Sequence, residues 1–220
     1  MPYSEEHQVY LQQDGFLDKE LTTVDQLNPK HRPINQNWSW DRILRSPFIK
    51  QADILQGFYF FEEDFSIEEL KRHYDFYSSF TVHESSLSPC IHSVLATKLG
   101  KMEDAYELYL RTSRLDLDDY NKEVEEGLHI TSMTGTWMSI VYGFGGLKIV
   151  EGLLSIDPKL PKQWKGISFK INFQGEHLTV EIDGKNCEFT WSGNNPIDLN
   201  FRNKLITVNP KKIRTSNTPE

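Results

Sequence analysis

The hydrophobic period of this chain changes at Gly145-Gly146, and that change restricts it to two modules of different architecture. Upstream, apolar residues recur at helical spacing between capping signals. Downstream they alternate, as in Ile167, Phe169, Ile171 and Phe173 and then Leu178, Val180 and Ile182. A period of two buries one face of a strand, whereas a period near 3.6 buries one stripe of a helix. The chain is therefore expected to be mainly α with a C-terminal β module. Residues 1–37 read as a loop region, 38–147 as helices, 148–165 as a linker stiffened by Asp157-Pro158 and Leu160-Pro161, 166–210 as strands and 211–220 as a frayed polar tail.

Local chemistry marks the helix ends. Ser66-Ile67-Glu68-Glu69 is a capping box, in which the hydroxyl accepts an orphan N–H and Glu69 reaches back, and it opens a helix through residue 80. Ser88-Pro89 starts another, which Leu99-Gly100 ends, and helices over 101–114 and 132–144 complete the set. Residues 38–61 also read as helical. There Ile54, Leu55, Phe58, Tyr59, Phe60 and Phe61 put apolar groups on more than one face, which predicts packing on both sides. Helix pairs whose loops hold polar motifs suit an (α/α) barrel or a plain bundle equally. Residues 1–37, interrupted at Asn28-Pro29 and Arg32-Pro33, read as one irregular loop, a length that goes with function or with a covered surface.

Charge and cysteine usage exclude several classes. With 24 Lys and Arg against 32 Asp and Glu, the net charge of -8 disfavours nucleic acid and anionic membranes as partners. Cys90 and Cys187 lie far apart, so they read as reduced core residues rather than a disulfide or zinc framework. No stretch reaches bilayer-spanning length and the first residues lack a signal core, which makes a cytoplasmic location the default. The run Leu115-Asp116-Leu117-Asp118-Asp119-Tyr120-Asn121 lacks the glycine and the closing glutamate of a calcium loop, so it reads as a solvated rim or a cap and no metal is expected. Gly143-Phe144-Gly145-Gly146 reads as a helix stop.

Three polar runs could carry chemistry. Thr81-Val82-His83-Glu84-Ser85-Ser86-Leu87-Ser88, wedged between apolar helices, gathers groups suited to sugar hydroxyls; alternatively its serines cap the next helix while His83 and Glu84 pair with each other. In Gly127-Leu128-His129-Ile130-Thr131-Ser132-Met133-Thr134-Gly135, hydroxyls and backbone N–H groups gather at a helix start, a natural anion site. A cap at Thr131 or Ser132 and a helix contact at Gly135 explain that run equally. Lys50-Gln51-Ala52-Asp53 sets polar groups inside an apolar helix beginning after Pro47, as ligand contacts or as an interhelical ion pair. Trp38 and Trp40 could form a stacking platform or core.

Taken in order, Gln13-Asp14-Gly15-Phe16-Leu17-Asp18, Lys50-Gln51-Ala52-Asp53, His83-Glu84-Ser85-Ser86-Leu87-Ser88 and His129-Ile130-Thr131-Ser132-Met133 resemble glycoside hydrolase family 65. The resemblance runs from about Tyr3 into the β module. That family contains the inverting disaccharide phosphorylases acting on maltose, trehalose and kojibiose, and residues 115–121 with 126–133 look most like the maltose-acting members. The resemblance implies that residues 38–147 are the last helices of an (α/α)6 barrel followed by a small antiparallel β-sandwich. It implies that Lys50 and Gln51 contact the glucosyl unit, that His83 and Glu84 line the sugar pocket, and that His129, Thr131, Ser132 and Gly135 belong to the phosphate site. It also implies a disaccharide and inorganic phosphate as substrates, no cofactor, and a homodimer at full length.

The family's general acid lies in a Gly-Pro-Asp-Glu-Tyr motif, which does not occur in these 220 residues, and neither Glu84 nor Glu123 matches it. No catalytic residue is therefore assigned here. The expectation is the C-terminal portion of a longer phosphorylase, inactive alone. A non-catalytic carbohydrate-binding protein, or a small hydrolase using Glu84, are the competing readings.

Overall fold

In the computed structural model, residues 1–51, 53–184 and 186–210 are described, together with the backbone of 213–216. The chain forms two compact units, Met1–Trp137 and Met138–Glu220.

The first unit opens on a short hairpin, not on structureless chain. Strands β1 (Tyr3–Ser4) and β2 (Val9–Tyr10) pair antiparallel, and 3-10 turns at Phe16–Asp18, Val24–Gln26 and Pro29–His31 lead to helix α1 (Ile34–Asn37). What orders this segment is a set of side chains from helix α4 (Ile67–Ser78), whose buried face is Leu70, His73, Tyr74 and Tyr77. The Tyr77 hydroxyl donates to the Tyr10 carbonyl at 2.7 Å and accepts from the Gln12 N–H at 2.9 Å. His73 Nε2 accepts from the Tyr10 N–H at 2.8 Å, and His73 Nδ1 lies 2.7 Å from the Glu69 carbonyl. The ring is thus neutral, donating at one nitrogen and accepting at the other.

The expected helix over 38–61 is two helices, α2 (Trp40–Arg45) and α3 (Asp53–Phe60). Between them Ile49 bridges to Thr81, its N–H donating to Phe80 and its carbonyl accepting from Val82, both at 2.9 Å. Pro47 and this tertiary pairing override the apolar run, so Lys50 and Gln51 precede α3; Ala52 lies outside the described residues. Ile54, Leu55 and Phe58 face inward, but Phe60 and Phe61 are 65% and 61% exposed instead of packed on both sides.

Helix α4 carries the expected capping box, with Glu69 N–H to Ser66 Oγ at 3.2 Å and Ser66 N–H to Glu69 Oε2 at 2.8 Å. Helix α5 (Ser88–Lys98) is buried almost along its length and ends at the expected Leu99-Gly100 stop. It packs on helix α6 (Met102–Ser113), where the Ser93 hydroxyl donates to the Ala105 carbonyl at 2.8 Å. A short helix α7 (Leu115–Asp118) and helix α8 (Ile130–Met138) follow, and the chain continues as a π-helical turn, Ser139–Phe144.

The second unit holds strands β3 (Leu147–Val150), β4 (Leu153–Ile156), β5 (Ile167–Phe173), β6 (Glu176–Ile182), β7 (Asn186–Trp191), β8 (Ile197–Phe201), β9 (Lys204–Val208) and β10 (Ile213–Ser216). They form sheets of order β10-β7-β6-β5 and β3-β4-β8-β9, antiparallel except for the parallel pair β4–β8. One core drawn from both sheets, including Leu154, Ile156, Leu178, Val180, Phe189 and Leu199, makes this a sandwich. The expected linker over 148–165 therefore contributes two strands: β3 pairs with its neighbour β4, and β4 also pairs with β8, which is too distant for the local pattern to reveal. Part of the expected tail is also a strand, paired with β7, while residues 211–212 and 217–220 lie outside the described residues. At the helix stop, Gly146 has φ 62° and sits where a Cβ would fall 2.0 Å from the Asp157 carbonyl oxygen, so only glycine fits that corner.

Tyr77→Phe leaves the Tyr10 carbonyl and Gln12 N–H without their hydroxyl partner. It is expected to cost about 1–3 kcal/mol in denaturant unfolding and to speed hydrogen exchange at Gln12 selectively.

Candidate functional site

Residues 82–88 leave the bridge with Ile49 and run inward to α5. Glu84 is only 2% exposed. Its Oε1 accepts from Arg32 Nε at 2.8 Å and its Oε2 from the Ile34 backbone N–H at 2.7 Å, while Arg32 also donates to the Val82 carbonyl. Glu84 does not pair with His83. Both of its oxygens act as acceptors, the arrangement of a side chain anchoring α1.

His83 takes a left-handed backbone, φ 55°, which turns its ring toward α5. Its Nδ1 lies 3.0 Å from Ser88 Oγ, its carbonyl accepts from Arg111 Nε at 3.0 Å, and its ring meets the His92 ring edge-on at 4.5 Å. Burial, then His92, Arg111 and Arg32, hold the His83 imidazole well below its usual pKa. His92 is 1% exposed, burial lowers its pKa to about 3, and neither of its ring nitrogens has a hydrogen-bond partner among the described residues.

Gln51 reaches this loop, its Oε1 accepting from the Ser85 hydroxyl at 3.2 Å, whereas Lys50 is exposed. Ser85 Oγ also accepts from the Leu87 N–H at 3.1 Å, and no side chain caps α5, so the serines organise the loop more than the helix. Trp38 packs with Phe48 under the Arg42 guanidinium and belongs to the core, while Trp40 is 74% exposed.

The 127–135 run adjoins the 81–88 run, for the Thr131 hydroxyl donates to Ser86 Oγ at 2.6 Å. Ser132 is buried and its hydroxyl donates to the His129 carbonyl at 2.8 Å. A Cβ on Gly135 would meet Cys90 Cβ at 2.7 Å and Cys90 Sγ at 2.9 Å, so the structure gives Gly135 a packing role that seats α8 on α5. His129 is held by Asp116, which accepts its backbone N–H at 2.9 Å and contacts its Nδ1. The acidic run is therefore not merely a solvated rim. Arg111 Nη2 donates to Asn121 Oδ1 at 3.2 Å, and Gln36 Nε2 to the Asn121 carbonyl at 3.0 Å, tying this run back to α1. Among the described residues no group of three or more His, Cys, Asp or Glu could hold a metal ion, and Cys90 and Cys187 are buried free thiols.

Two family models match the chain: the glycosyl hydrolase family 65 central catalytic domain over residues 1–138, and the family 65 C-terminal domain over residues 147–208. The chain belongs to glycosyl hydrolase family 65. It is 53% identical over 207 residues to a maltose phosphorylase of Bacillus subtilis (strain 168), covering 94% of this chain and 27% of that protein. It is 38% identical to an alpha,alpha-trehalose phosphorylase of Thermoanaerobacter brockii, covering 97% of this chain and 28% of that one. A solved structure titled putative kojibiose phosphorylase from human microbiome superposes with TM-score 0.89 at 39% identity, covering 97% of this chain and 30% of that chain. The chain thus spans about a quarter of the length of the curated relatives it matches. No helix among the described residues is long and apolar enough to cross a membrane.

Within this family 65 chain, Arg32, Arg111, Asp116, Asn121 and His92 escaped the sequence patterns. Arg32 sits in an aperiodic segment and Asp116 in a run dominated by solvated acids. For His92, burial along all of α5 was the signal available.

Burial depresses the pKa of His73, His83 and His92. The unfolded chain therefore binds protons first as pH falls below about 6.5, and stability is lost from there downward. A fully buried imidazole such as His92 contributes on the order of 1–2 kcal/mol of this loss by pH 5. Denaturant midpoints at pH 7.5 and 5 should show the loss, with a shallower profile for His92→Leu. Gly135→Ala forces α8 off Cys90 and should cost about 1–3 kcal/mol, seen as a lower melting temperature.

Proposed function

We propose that this chain forms the sugar- and phosphate-binding wall of an inverting disaccharide phosphorylase that cleaves maltose with inorganic phosphate to β-glucose 1-phosphate and glucose. The observation that carries this reading is the Thr131–Ser86 hydrogen bond, which joins the 83–88 loop to the start of α8. It sets candidate sugar ligands beside candidate anion ligands, and the 53% identity to a maltose phosphorylase favours maltose over trehalose or kojibiose.

In this mechanism a protonated carboxylic acid donates to the glycosidic oxygen while phosphate attacks C1 from the opposite face. Phosphate is already an anionic nucleophile, so the protein's task is to orient it and stabilise charge. Lys50 and Gln51 bind the glucosyl unit, and neutral His83, oriented by Ser88, offers a hydrogen bond to a sugar hydroxyl. His129, Thr131 and Ser132 hold the phosphate, and Gly135 acts by seating α8 on α5. Glu84 serves as the anchor beneath the sugar subsite. The Gly-Pro-Asp-Glu-Tyr motif of the family's acid is absent from these residues, so the proton donor comes from other polypeptide. The protein would need no cofactor and would work in the cytoplasm, as a homodimer at full length.

Calorimetry with inorganic phosphate and 31P NMR with maltose plus phosphate test this. The expected result is saturable phosphate binding with no sugar phosphate from this chain, and β-glucose 1-phosphate once the coding sequence upstream of Met1 supplies the acid motif. Glucose released without sugar phosphate, and abolished in Glu84→Gln, would favour the hydrolase reading instead.

A further inference from the structure

His129 lies between two carboxylates that hold it in different ways. Asp116 spends both oxygens on this one residue: Oδ2 accepts the His129 backbone N–H at 2.9 Å, and Oδ1 meets Nδ1. A carboxylate can only accept, so Nδ1 carries a proton and the ring is fixed both in rotamer and in the face it turns outward. The grip is mutual, because the His129 backbone N–H, helped by the ring, holds the Asp116 carboxyl below the usual range.

On the other side, His129 Nε2 is 3.8 Å from Glu123 Oε2, too far for a hydrogen bond. Glu123 is steadied by its other oxygen, which accepts from Asn35 Nδ2 at 3.3 Å. The imidazolium form therefore has one proton committed to Asp116 and a second facing a carboxylate that makes no close bond. An oxyanion able to approach to normal hydrogen-bond distance would win that second proton, since charge-assisted bonds strengthen as they shorten and align.

We propose that Asp116 is the positioning residue that fixes His129 for anion binding, and that Glu123 is a resident carboxylate which phosphate displaces from His129 Nε2. This rests on the assignment of the phosphate site made above and adds its supporting groups. It also departs from plain electrostatics, in which removing either negative charge would favour an anion alike.

The experiment uses the full chain with inorganic phosphate as the probe, comparing the parent with Asp116→Asn and Glu123→Gln. Affinity is read by calorimetry, and the His129 ring nitrogens by 15N NMR. Asp116→Asn is expected to weaken phosphate binding by about tenfold, the lower end for losing a supporting partner of a liganding histidine, and to change the Nδ1 signal. Glu123→Gln is expected to tighten binding. Asp116→Glu should restore part of both losses, which guards against a folding defect in Asp116→Asn. If both neutralisations tighten binding alike, or if Asp116→Asn leaves affinity and ring signals unchanged, the proposal falls. If the parent chain binds no phosphate, the anion-site assignment fails and takes the Glu123 exchange with it. The parent's Nδ1 signal, retained or lost in Asp116→Asn, still decides whether Asp116 fixes the ring.

Discussion

The buried carboxylate of Glu84 is the contact on which the helical unit's site depends. It gathers the Arg32 guanidinium and the Ile34 N–H from a segment 50 residues away, and Arg32 in turn donates to the Val82 carbonyl beside it. Withdrawing a carboxylate from water costs several kcal/mol unless every lone pair is engaged, so this arrangement tolerates little slack. Its consequence is that α1 and the 82–84 segment are tied into one piece. From that piece Asn35 and Gln36 reach Glu123 and Asn121, so the supports of His129 are aligned to the loop that holds His83.

Around this anchor, neutral and charged groups divide the work. His73, His83 and His92 are buried on α4, the 83–88 loop and α5, where desolvation disfavours a proton. His73 turns neutrality to structural use by donating from one nitrogen and accepting at the other, which ties down the opening hairpin. Arg32 and Arg111 keep positive charge beside the His83 loop, although the chain as a whole carries a net charge of -8. An anion site in such a protein must be built locally, from donors turned inward by particular carboxylates, because the overall field opposes it.

Much of the architecture was legible because its signals are local. The Ser66–Glu69 box, the stop at Leu99-Gly100 and the period-two strands β5 to β7 involve neighbours a few residues apart, and each appears where the spacing put it. Legibility failed where a distant partner overrode local preference. The apolar run over 38–61 breaks because Ile49 pairs with the segment around Thr81, and the first part of 148–165 forms strands β3 and β4, the latter finding β8. The opening segment looked irregular because its order comes from Tyr77 and His73, more than sixty residues away.

By itself, the sequence determined the two modules and most helix ends, and it singled out the polar runs as candidates, since caps, turns and hydrophobic periods are written in adjacent residues. Only the tertiary structure decided what each polar group does. It turned Glu84 from a sugar-pocket candidate into an anchor, Gly135 into a helix contact and Asp116 into the partner of His129. The reason is physical: a buried carboxylate or imidazole takes its role from the groups that replace its water, and those groups come from segments that only folding brings within 3 Å.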